Sequence, residues 1–164
     1  MKFMRCAVLT LLIALPLLGA GCDRNVEIEK VLTITDLHTG WYDAGIVEGS
    51  KNKLVPSVSF RLGNVSNRTV ASVQINAIFK QVTGPEPWGE HFVKAIGTSG
   101  LGAGATSGAY VLRSNLGYTG TESRMQLLRN SAFVDARVEI FAKHGARTWV
   151  KIGDIRIDRQ LLTQ

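Results

Sequence analysis

The chain is poor in cysteine, histidine and proline, and no apolar run in it is long enough to cross a membrane. Its two cysteines, Cys6 and Cys22, both lie near the start. Everything after residue 22 is therefore free of internal disulfides. The longest apolar stretch, Ala7–Leu18, has 12 residues, whereas a spanning helix needs about 20. The three histidines, His38, His91 and His144, are far apart and form no HxH, HExxH or HxxxH pair, so the sequence predicts no metal site. No Gly-x-Ser-x-Gly elbow occurs. The glycine-rich tract Gly97–Gly108 runs into strand-like text without a following Lys-Ser/Thr. It lacks the context of a phosphate cradle and reads as a mobile surface loop. The sequence thus predicts no cofactor and no enzyme. Basic residues interleaved with aromatics are missing too, which argues against nucleic acid.

What is present at the start is distinctive. Lys2 and Arg5 precede the apolar stretch, Pro16 interrupts it, and Gly19-Ala20-Gly21 follow. A basic start, a short apolar stretch and small residues make an export signal. Proline near the end of that stretch favours an extended, protease-accessible cleavage region.

The segment Leu18-Gly19-Ala20-Gly21-Cys22 resembles the lipobox of bacterial lipoproteins. The usual pattern has leucine three residues before the cysteine; here Gly19 stands there and Leu18 precedes it. The resemblance implies a diacylglycerol on the Cys22 thiol and cleavage by signal peptidase II just before it. Ordinary signal cleavage and an uncleaved anchor are the alternatives. Lipidation also accounts for a single thiol in an exported chain, where unpaired cysteine is unusual. By the same resemblance, Asp23 implies retention on the periplasmic face of the inner membrane in preference to the outer membrane.

Removal of residues 1–21 leaves 143 residues, the size of one domain. That portion has 17 basic and 13 acidic residues, a charge of +4. The excess lies late in the chain: eight basic residues against four acidic ones between Arg124 and Arg159. Such a face suits anionic headgroups or an acidic partner; a solvated strand face with mixed charge is the plainer reading. Residues 22–29 read as a polar tether and 30–160 as the domain.

The domain text is mostly period two. Val58, Phe60 and Leu62 alternate with polar residues, as do Val73, Ile75, Ala77 and Phe79, and Val138, Ile140 and Ala142. This is the pattern of half-buried strands. Val31–Asp36, Phe92–Ile96 and Ala109–Arg113 are shorter strand candidates. Gly63–Arg68 and His144-Gly145-Ala146 carry turn chemistry. In the last hairpin Val150 and Ile152 are even-numbered, Ile155 and Ile157 odd. Keeping all four on one face requires a β-bulge at Gly153. Glu122–Asn130 is the one helix-like segment, with Met125, Leu128 and Arg129 at helical spacing. The fold predicted is all-β: an immunoglobulin-like antiparallel sandwich of about seven strands with one short connecting helix.

Val58–Val70, Val73–Lys80, the glycine-rich stretch and Tyr110-Val111-Leu112 together resemble the FxLYD domains of bacterial envelope proteins, although the Phe-x-Leu-Tyr-Asp string itself is absent. The resemblance implies an immunoglobulin-like module without catalytic function.

Four aromatics are candidate partner-binding residues. Trp88 sits in Val82–Glu90, which reads as a proline-stiffened hairpin tip; it is either a contact hot spot or a cap on the core. Trp41 and Tyr42 point to opposite faces of a strand, so one of them belongs to the core. Trp149 reads as a surface aromatic flanked by Arg147 and Lys151. The function expected is a lipid-anchored periplasmic binding or assembly subunit of an envelope protein complex. The alternative is a carrier or sensor of a small envelope ligand, a lipid or a glycan.

Overall fold

A computed structural model describes residues 26–162. Cys22, Asp23 and the signal lie outside the described residues. In chain order the elements are α1 (Ile28–Val31), β1 (Leu32–Val47), β2 (Lys51–Asn64), β3 (Val73–Gln81) and β4 (Pro87–Ile96). They continue with β5 (Tyr110–Arg113), β6 (Tyr118–Gly120), α2 (Arg124–Arg129), β7 (Ala136–His144) and β8 (Val150–Arg156). Two four-stranded sheets face each other. One runs β1-β2-β5, with β6 also on β2; the other runs β4-β3-β7-β8. All these neighbours are antiparallel. In immunoglobulin lettering this is A-B-E against C′-C-F-G.

Alternation builds the core as the sequence predicts. Phe60 and Leu62 from β2, Ile75 and Phe79 from β3, and Val138 and Ile140 from β7 are all fully buried. Each such side chain contributes about 1.5–3 kcal/mol relative to exposure. Eight strands replace the expected seven because one edge strand is broken. β5 pairs with Ser57–Phe60 and β6 with Asn52–Leu54, on the same side of β2. Residues 114–117 interrupt the pairing. There a Cβ on Gly117 would stand 2.1 Å from the Leu54 carbonyl oxygen, so only glycine allows the backbones to meet.

The bulge in β8 lies where the parity change puts it. Ile140 pairs with Gly153 and Phe141 with Lys151, which leaves Ile152 as the extra residue.

Four expectations need correction. Residues 26–29 are not tether: Val26 and Ile28 are buried in the core, and α1 begins there. The polar text around them (Glu27, Glu29, Lys30) hid two apolar residues of one short turn. The connecting helix is shorter than Glu122–Asn130 and rotated. Ser123 and Gln126 form a capping box, Leu127 and Leu128 face the core, and Met125 is exposed. The supposed tip Val82–Glu90 is half strand, because Pro87–Glu90 already belong to β4.

The glycine-rich loop, finally, is tied down. Asn64, itself 2% exposed, donates from Nδ2 to the carbonyls of Arg68, Leu101 and Gly102 at 2.8–2.9 Å. Val70 and Leu101 exchange both backbone bonds, and the Ser107 hydroxyl accepts from the Leu62 amide at 2.9 Å.

Candidate binding site

The aromatic candidates separate by strand register. Trp41 pairs with Pro56 and is fully buried. Its ring packs edge-on against Phe133 at 4.5 Å and Trp88 at 5.8 Å. It is a core residue and not a contact residue. The inward parity of β1 at this point is the reason, and Tyr42 takes the outward position beside it. Trp88 caps the same cluster from β4 and is half-buried. Next to it, a Cβ on Gly89 would meet Ser114 Oγ at 2.2 Å, so glycine lets β4 lie against residues 114 and 115. Of the two readings of Trp88, the core cap is the one observed.

Tyr42 lies on the outer face of the first sheet. The Arg113 guanidinium stacks over its ring, with Cζ 3.5 Å from the centroid, a close cation–π contact. Arg113 pairs with Ser57 on β2. Beside it, Val111 is 48% exposed. His38, Tyr42, Ser59, Val111, Arg113 and Leu162 line an open groove of about 520 Å³. Among the described residues no carboxylate pairs with Arg113. The groove therefore offers a guanidinium, an aromatic ring and an apolar strip on one face.

One wall of the groove comes from the segment after β8. The Trp41 amide donates to the Gln160 carbonyl at 2.8 Å, and the Leu162 amide to the Trp41 carbonyl at 2.9 Å. Gln160 Nε2 donates to the Thr39 carbonyl at 2.7 Å. The Thr39 hydroxyl donates to Asp158 Oδ2 at 2.9 Å and accepts from the Asp158 amide at 3.1 Å. Gly40 leaves room for Leu162: a Cβ there would lie 2.7 Å from Leu162 Cδ2. Sequence parity did not reveal this wall, because residues 158–162 lack strand periodicity and pair with β1 from far along the chain.

Trp149 is 39% exposed and meets Phe92, 50% exposed, edge-on at 6.3 Å. Lys143 Nζ lies 5.1 Å from the Trp149 ring. This aromatic pair sits at the second sheet, away from the groove residues.

The late basic stretch is largely compensated within the protein. Glu139 binds Lys80 at 2.6 Å, Arg137 at 3.2 Å and Lys151 at 3.3 Å. Arg137 and Lys151 also reach Asp154. Asp135 holds both Arg156 and Arg159, and Arg124 pairs with Asp43. The Lys80 ammonium holds the Glu139 carboxyl below its ordinary pKa against a smaller opposing effect of burial. Arg159 does the same for Asp135, with Arg156 adding to it. A mixed-charge strand face describes this region better than a bare basic one.

His38 lines the groove, His91 Nδ1 lies 3.1 Å from the Arg113 carbonyl, and His144 ends β7. Among the described residues no group of three or more His, Cys, Asp or Glu side chains is placed to hold a metal. No helix of the described residues is long and apolar enough to cross a membrane. The space between the sheets, where a lipid carrier would hold its cargo, is filled by Trp41, Phe60, Phe79, Leu112 and Ile140. No protein-family model matches the chain, and no curated protein matches it.

Proposed function

We propose that this protein is a lipid-anchored component of the bacterial cell envelope that binds a protein partner through the groove on its first sheet. The anchor is the diacylglycerol implied at Cys22, with Asp23 favouring the periplasmic face of the inner membrane. The protein serves as a non-catalytic accessory or assembly subunit of an envelope complex. The observation that supports this most is the Tyr42–Arg113 stack beside exposed Val111. Aromatic and arginine side chains dominate contact energetics, and an arginine with no carboxylate partner among the described residues suits an acidic group on the partner. The partner segment is therefore apolar with a carboxylate.

The test has two arms. Native protein is pulled from detergent-solubilised membranes, and stoichiometric partners are identified by mass spectrometry. Alongside it, a protein carrying Tyr42→Ala and Val111→Lys is treated identically. A partner recovered with the native protein and lost with the double variant is expected. Recovery of no stoichiometric partner, or equal recovery with both proteins, overturns the groove reading. Separately, Cys22→Ser should move the protein from the membrane to the soluble fraction. Unchanged membrane association overturns the anchor.

A further inference from the structure

The burial of Val26 has a consequence for how the domain sits. With the lipid on Cys22, only Asp23, Arg24 and Asn25 separate the anchor from the packed core. Four residue steps span at most about 14 Å. The headgroup region adds about 5–8 Å to each side of the hydrocarbon, so the end of the sandwich that carries Val26 is held within about 6–9 Å of the outer limit of the headgroups.

The β7–β8 hairpin belongs to that end. Arg147 Nη1 donates to the Val26 carbonyl at 3.4 Å. His144, Arg147, Thr148 and Val150 enclose a small cavity with Val26 and Ile28. Val73 pairs with both His144 and Ile96, so the end of β4 lies at the same level. Here Trp149 and Phe92 form their exposed pair, with Lys143 beside the indole and Lys94 two residues from Phe92. Neither Lys94 nor Lys143 has a carboxylate partner among the described residues. Glu27 and Glu29 line the same pocket, and Glu27 is paired with Lys30. An exposed tryptophan next to lysines is the composition of a membrane-interface anchor.

We propose that Trp149, Phe92, Lys94 and Lys143 form a membrane-docking corner that rests on the anionic headgroups of the bilayer holding the anchor. This rests on the lipid anchor at Cys22. Ten residues along β1 separate Leu32 from Tyr42, about 30 Å at strand rise. Docking at this corner therefore leaves Tyr42 and its groove clear of the membrane and open to the periplasm.

The test uses lipidated protein purified from membranes, its Cys22 acylation checked by mass. It is reconstituted into vesicles of equal phosphatidylcholine and phosphatidylglycerol, brominated near the acyl carbonyl. Tryptophan emission should be partly quenched, and Trp149→Phe should remove the quenched component, because Trp41 is enclosed in the core and Trp88 caps it. Lys94→Glu with Lys143→Glu should lower the docked fraction at least about five-fold. An acylated protein without Trp149-dependent quenching overturns the docking and leaves the anchor standing. A protein without acyl chains overturns the anchor and the docking with it. Equal quenching on vesicles of phosphatidylcholine alone overturns the assignment to anionic headgroups. Quenching that requires an added partner protein places a protein on this corner and overturns the membrane assignment.

Discussion

Asn64 Nδ2 donates to the Leu101 carbonyl oxygen at 2.9 Å, across 37 residues of sequence. The same amide serves Arg68 and Gly102, while Asn64 Oδ1 accepts from the Ser66 amide and hydroxyl. One side chain thus shapes its own turn and closes the end of the sandwich. Asn64→Ala strands buried carbonyls and should cost about 2–3 kcal/mol in urea unfolding. Asn64→Asp should cost at least as much, since a carboxylate has no N–H to give. A loss below about 0.5 kcal/mol would show that backbone bonds alone hold the loop.

Trp41 and Trp149 should respond very differently to substitution. Trp41→Ala empties the centre of the Trp88–Phe133 cluster and should cost about 3–5 kcal/mol. Trp41→Phe should cost much less: the buried Nε1 has no acceptor among the described residues, so no hydrogen bond is lost. Trp149→Ala, on the surface, should stay within about 1 kcal/mol of the native protein. Equilibrium unfolding read by far-ultraviolet circular dichroism gives all three values.

Gly117→Ala is expected to be among the costliest small substitutions. The new methyl would stand against the Leu54 carbonyl, which is backbone and cannot rotate away. A loss of about 2–3 kcal/mol is expected, with local rearrangement of residues 114–117. Gly102→Ala has open space around it and is the control. Thermal unfolding of the pair should rank them clearly.

Acid should weaken the protein through two carboxylates. Asp135 and Glu139 are held below their ordinary values of 3.8 and 4.5 by their cationic neighbours. The folded state therefore binds these protons less readily than the unfolded chain does. Their stabilisation is complete above the ordinary values and is lost as pH falls through the lower folded ones. Asp135→Asn and Glu139→Gln should each lower stability at neutral pH and flatten its decline below about pH 4. Urea midpoints measured from pH 7 down to pH 2.5 will show it.

The sandwich was legible because its strands alternate cleanly. Val58–Leu62, Val73–Phe79 and Val138–Ala142 each keep parity through one strand, and the parity change at Gly153 located the bulge. Tyr42 and Trp41 were assigned opposite faces for the same reason. Long-range effects were not legible. Val26 and Ile28 are two apolar residues in charged text, and only packing against β7 and β8 reveals them as core. Asn64 looked like a turn residue because its partners at 101 and 102 are remote. The groove wall at 160–162 is set by backbone pairing to Trp41, which leaves no mark on side-chain pattern. The place of Trp88 is set by the start of β4 at Pro87, which the proline-rich text around it does not mark.

The pairing of Gln160 and Leu162 with Trp41 also bears on assembly. A free strand edge is a template on which a second chain can add. Here the β1 edge at Trp41 already carries a segment of its own chain. Across the sandwich the Tyr110 hydroxyl donates to the Ala95 carbonyl at 2.6 Å, and His91 engages the Arg113 backbone, latching the β4 and β5 edges to each other. The fold guards both of these flanks with its own atoms, a device that favours discrete molecules over filaments.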